Sequence, residues 1–87
     1  MFPAIKLIDE NDNGYRITAQ MISCKMHYSY NDWMVVIEFS NGVCRSYCFY
    51  NEIDALKLYD DLTACFIFSN KMHIININDY NEPSFAD

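Results

Sequence analysis

Residues 23–50 read SCKMHYSYNDWMVVIEFSNGVCRSYCFY, an alternating stretch broken twice by turn-forming residues. Placing Asn31-Asp32 and Asn41-Gly42 as two-residue hairpin loops gives three antiparallel strands, and the register follows by counting. Asn41-Gly42 is the stronger signal, because a type I′ turn needs positive φ at both central positions. In this register Lys25, Glu38 and Arg45 form one row across the strands, with opposite charges side by side. The opposite face gathers Cys24, Met26, Tyr28, Tyr30, Trp33, Val35, Ile37 and Phe39, then Cys44 and Cys48. That face is the expected core.

Upstream, Ala4 to Ile8 is a short apolar run followed by the acidic turn DENDNG at 9–14. From Tyr15 the chain alternates, with Tyr15, Ile17, Ala19 and Met21 on one face. The phase then flips, and Ile22, Cys24, Met26, Tyr28 and Tyr30 become the apolar set. One inserted residue does this, so a long bent strand with a bulge at Met21–Ser23, or two strands meeting there, is expected.

Downstream of Tyr50 the period becomes helical. Asn51 suits an N-cap, Glu52 and Asp54 suit the first turn, and Ala55, Leu58, Tyr59 and Leu62 form the apolar stripe. A helix ending near Leu62 would leave Asp60 and Asp61 opposing its dipole. Phe66–Phe68 and Met72–Ile77 read as two further strands around Ser69-Asn70-Lys71. The expected fold is α+β: an antiparallel meander of five to six strands packed on a single α-helix, in the order β-β-β-β-α-β-β. Residues 1–78 make the domain and 79–87 a loose acidic tail, from which Tyr80 and Phe85 could dock.

The chain has 87 residues, 52% hydrophobic and 16% aromatic, which suits one globular domain with a modest core. No apolar run nears the roughly 20 residues of a membrane span. The N-terminus meets acid by Asp9, unlike a signal peptide, so a cytoplasmic protein is expected. A net charge of −6 argues against direct binding of nucleic acid, whose phosphates need Lys and Arg. Acidic residues serve solubility or dock on a basic partner; the composition leaves both open.

The register keeps Cys24, Cys44 and Cys48 apart, and it does not place Cys65. Cys44 and Cys48 share a face but lie roughly 13 Å apart along a strand, too far for a disulfide or a shared metal. Cys24 and Cys44 flank the third strand at about 9.6 Å. Free thiols are the expectation, with no metal and no cofactor. His27 and His73 have no ligand-like spacing, and no catalytic triad, phosphate loop or zinc signature occurs. So small a domain also has little room to enclose a catalytic pocket beside its core, and no enzymatic activity is expected.

The face opposite the core holds His27, Met34, Val36, Tyr47 and Phe49, an apolar-aromatic patch beside the charge row. Either terminal segments fold over it or it binds a partner. On the second reading, Met34, Val36, Tyr47, Phe49 and His27 form the contact with Asp9, Glu10, Asp12, Asp60 and Asp61, and a lysine at Tyr47 or Phe49 leaves the fold intact.

In size, acidity, aromatic content, Asn/Ile-rich composition and meander-plus-helix pattern, the whole chain resembles phage-encoded host-takeover inhibitors of the anti-CRISPR or anti-restriction type. That resemblance implies a non-enzymatic protein, acting in the host cytoplasm, that blocks a nucleic-acid-handling partner by occupying its surface. It implies contacts through the acidic 9–12 turn, the helix acids and the Tyr47–Phe49 patch. The alternative is a structural or regulatory subunit that forms a homodimer or pairs with an obligate partner through its sheet face.

Overall fold

The computed structural model describes residues 2–81 and 83–86. Six strands and one helix follow the expected order: β1 (Ala4–Asp9), β2 (Tyr15–Ser29), β3 (Asp32–Phe39), β4 (Cys44–Phe49), α1 (Glu52–Ile67), β5 (His73–Asn76) and β6 (Ser84–Ala86). The strands form one sheet in the order β5-β1-β2-β3-β4-β6, antiparallel except for the parallel pair β1–β5. The fold is α+β, with a mixed sheet.

Strand β2 organises the molecule. Its first half, Tyr15 to Gln20, pairs with β1, and its second half, from Met21, pairs with β3. The register shifts between Met21 and Ser23, where the sequence places the bulge. The bend is large. Arg45 lies level with Cys24 through Ile37, and Tyr15 lies nine residues before Cys24, about 30 Å along a straight strand at roughly 3.3 Å per residue. Yet the Arg45 guanidinium carbon sits 3.7 Å from the centre of the Tyr15 ring. The sheet therefore folds at the bulge, and the β5-β1 half closes over the β3-β4-β6 half.

Between the halves lie Ile5, Leu7, Met21, Val35, Ile37, Phe39, Tyr47 and Phe49, all at most 1% exposed. The helix seals this core with Ala55, Leu58, Leu62 and Cys65, and packs on β2, β3 and β4.

Both hairpin loops differ from the sequence expectation, with different consequences. The first loop is Tyr30-Asn31, with φ of 51° and 66°, leaving Ser29 opposite Asp32. Pairing thus slips by two residues and every side chain keeps its face. The second loop contains Ser40-Asn41-Gly42, with Gly42 at φ 89° and the Phe39 amide bonded to the Val43 carbonyl. Asn-Gly serves this longer loop, a type I turn closed by a left-handed glycine, as well as it serves a two-residue one. The extra residue slips β4 by one, which turns it over.

The charge row is therefore absent. Arg45 sits opposite Ile37, Lys25 opposite Val36, and the Glu38 carboxylate accepts from Ser23 Oγ at 2.8 Å. Tyr47 and Phe49 face Val35 and Trp33 in the core, while Cys44 and Cys48 turn outward.

Arg45, 5% exposed, occupies the junction of the two half-sheets. Its Nη2 donates to Asp12 at 3.0 Å, Asp9 at 3.3 Å and the Tyr47 hydroxyl at 2.9 Å. Tyr15 and Phe85 each place a ring centre 3.7 Å from the guanidinium carbon. Burial pushes the Arg45 pKa down, but its bonds to Tyr47 and Asp12 outweigh that and leave it raised. One guanidinium thus serves two carboxylates, and among the described residues no buried side-chain polar atom is left without a partner, as a buried ion pair requires to be tolerated.

The C-terminal third departs most from expectation. Phe66 and Ile67 belong to α1 and Phe68 caps it, because Cys65 continues the buried 55-58-62 stripe for another turn. Asp60 and Asp61 consequently lie mid-helix, where the expected dipole cost does not arise. Asn51 takes the N-cap position without a side-chain cap, and its amide donates to Asp54 instead. The expected strand at 72–77 is β5, His73–Asn76, whereas 66–68 forms no strand and the remaining strand is β6. Residues 84–86 of the expected loose tail pair with β4, and the tail acids Glu82 and Asp87 lie outside the described residues.

Candidate functional site: a cleft between the helix and the sheet edge

Strand β5 ends the sheet, so among the described residues its outer edge has no partner strand. Alternate residues of such an edge direct their N–H and C=O groups away from the sheet. Because α1 packs on β2, β3 and β4, it stands off from β5 and leaves an open cleft of about 670 Å³. His73 to Asn76 line it without interruption. Residues of both faces contribute, so the strand's edge forms this wall.

The opposite wall spans the second to fourth turns of α1. Lys57, Asp61 and Cys65 recur there every four residues, with Asp60 three beyond Lys57, along one side of the helix. A 3-10 turn at Ile77–Asp79 closes the end with Asp79 and Tyr80. Three bonds hold that turn. Asn76 Oδ1 accepts from the Asn78 amide at 3.0 Å, Asn78 Oδ1 accepts from the Glu10 amide at 2.9 Å, and Asn81 Nδ2 donates to Asp54 at 3.3 Å. Tyr80 donates its hydroxyl to Asp61 Oδ2, tying the turn to the helix. At the other end His73 Nε2 donates to the Phe68 carbonyl at 2.7 Å, fixing the start of β5 to the end of α1.

The cleft is electrically lopsided. Asp60, Asp61 and Asp79 face one lysine, Lys57, and none of the four makes an ion pair among the described residues. Burial, then Asp61, pushes the Cys65 thiol up, and burial with the same carboxylate raises Tyr80. Both groups stay protonated near neutral pH and are weak nucleophiles. Among the described residues no cluster of three or more His, Cys, Asp or Glu is arranged to hold a metal ion. No helix there is long and apolar enough to cross a membrane.

Of the residues expected from sequence to meet a partner, Asp60 and Asp61 line this cleft. The others are scattered. Tyr47 and Phe49 are core residues, a correction that follows from the turned-over β4. Met34 and Val36 remain on the outer face, half-buried, with His27 exposed opposite Met34, but that face now lacks its aromatic anchors. Asp9 is 3% exposed and Asp12 half-buried, both spent on Arg45. Glu10 is exposed and paired with Arg16 at 2.8 Å.

Sequence reasoning missed His73, Asn76, Asp79 and Tyr80. The signal available was Asn76-x-Asn78, a pattern that turns a strand into a local turn through side-chain bonds. It also missed the exposure of Tyr28 and Tyr30 at the β2–β3 loop and of Tyr50 and Ile53 around the start of α1.

Comparison with protein-family models, with curated proteins and with solved structures returns no match for this chain.

Proposed function

We propose that this chain is a non-enzymatic protein-binding module that docks a basic partner in the cleft between α1 and β5. One observation carries the reading: a strand edge unpaired among the described residues opens onto a cleft whose helix and turn supply three carboxylates against a single lysine. A basic segment that elsewhere holds nucleic acid has the right charge for this site. Occupying it would make the chain an inhibitor of a nucleic-acid-handling protein, the activity its general character suggests. Two copies meeting edge to edge here would oppose like charges, which disfavours self-association through this surface.

Charge reversal at matched net charge tests the reading. Fluorescein-labelled octalysine is the probe, and Asp60→Lys/Asp79→Lys is compared with Glu38→Lys/Glu52→Lys, which lies elsewhere. Docking in the cleft requires the first pair to lower affinity at least tenfold more than the second. Equal losses would mean that the probe senses net charge alone.

A further inference from the structure

Resting on the docking reading above, we infer that the occupant is an extended segment that adds to β5 as a seventh strand, with basic residues at every second position and apolar residues between. The wall of the cleft is the edge of β5, not a face of it, since Ile74 and Ile75 point to opposite faces and both line it. An edge offers backbone hydrogen bonds, and only an extended backbone can take them in series.

The side-chain pattern follows from what stands on each side of that edge. Ile75 is 6% exposed and points inward, toward the helix with Asp60 and Asp61. A strand laid beside β5 sends alternate side chains to that side, where carboxylates meet them. The intervening side chains emerge on the outer face beside Ile74, which is 66% exposed. Lysine or arginine suits the inner set, and a β-branched or aliphatic residue suits the outer one. A folded basic surface satisfies the charges but not the edge.

A second copy of β5 is a poorer occupant. Its sequence, HIIN, brings no lysine or arginine to the inner positions, and its own cleft acids come with it.

The experiment uses two capped peptides of equal charge, KVKVKVK and KVKPKVK, titrated against the whole chain. Proline in the second removes an amide and breaks the strand while every lysine stays. Strand addition requires KVKVKVK to bind at least tenfold more tightly and to slow amide exchange at alternate residues of His73–Asn76. Equal affinities without protection of β5 would overturn strand addition and leave docking by charge standing. Binding of neither peptide, nor of octalysine, would overturn both.

Discussion

The Arg45 guanidinium carbon lies 3.7 Å from the centre of the Tyr15 ring, although a straight β2 would place Tyr15 about 30 Å along the strand from the level of Arg45. The contact is the consequence of the β2 bulge, and it closes the two half-sheets on each other. Asp9, Asp12, Tyr47 and Phe85 complete the closure around the same guanidinium.

Removing that guanidinium strands a carboxylate. Arg45→Ala leaves Asp9 buried without a cation, and should cost roughly 3–5 kcal/mol in urea unfolding, a large share of a small domain's stability. Arg45→Ala combined with Asp9→Ala should lose less than the sum of the two single variants, since the second change removes the orphan. Simple additivity would show that the pair is not coupled.

Alkaline pH should unfold the protein early. Burial, partly offset by Arg45, pushes the Tyr47 hydroxyl up to about 12 from an ordinary 10.0. Between those values the unfolded chain releases a proton that the folded one keeps. The Tyr47 contribution is thus complete below pH 10 and declines by roughly 1.4 kcal/mol per unit up to about 12. Burial also raises Tyr80, Cys24 and Cys65, which act in the same direction. Urea midpoints measured from pH 8 to 11.5 should fall, and Tyr47→Phe should make the fall shallower.

The orientation of β4 has a direct mutational signature. Phe49→Ala should cost about 3–5 kcal/mol as a core truncation, and Tyr47→Lys or Phe49→Lys should abolish folding. His27→Ala, exposed on the outer face, should stay within about 0.5 kcal/mol of the parent. If the lysine variants fold normally, the sheet has the register with β4 turned the other way.

The β2–β3 loop can be improved. Tyr30 holds a φ of 51° while 95% exposed, so no burial repays the left-handed conformation. Tyr30→Asn with Asn31→Gly installs the residues a type I′ turn favours and should stabilise by about 0.5–1 kcal/mol in thermal unfolding. Gly42→Ala should destabilise by a similar amount, because φ there is +89° even though no atom lies within 4 Å of the added methyl.

Most of the fold was legible because hydrophobic alternation sets which residues share a face within a strand, and the phase flip at Met21–Ser23 located the bulge that folds the sheet. What alternation does not report is how many residues a loop consumes. One residue at Ser40-Asn41-Gly42 turned β4 over and carried Tyr47 and Phe49 from the supposed docking face into the core. Arg45 misled for the same reason. It appeared as one end of a surface charge row, whereas its partners Asp9 and Asp12 come from a turn more than thirty residues away. The cleft was half legible: Asp60 and Asp61 stood out as acids on a helix. Asp79 and Tyr80 fell in what read as a tail, and the parallel pairing of β5 with β1 is a non-local contact that periodicity does not encode.

Salt should govern any binding that the cleft supports. Octalysine affinity should fall steeply between low and physiological ionic strength as exposed Asp60 and Asp79 are screened. Affinity insensitive to salt would point to the exposed Tyr30–Tyr50 end of the molecule instead.

Backbone amide shift mapping of the isotopically labelled chain during titration with octalysine tests the docking site most directly. The largest changes are expected at residues 57–65 of α1 and 73–80 of β5 and the turn that follows. Changes concentrated on the outer face around His27, Met34 and Val36, or spread over every acidic residue alike, would contradict a docking site between α1 and β5.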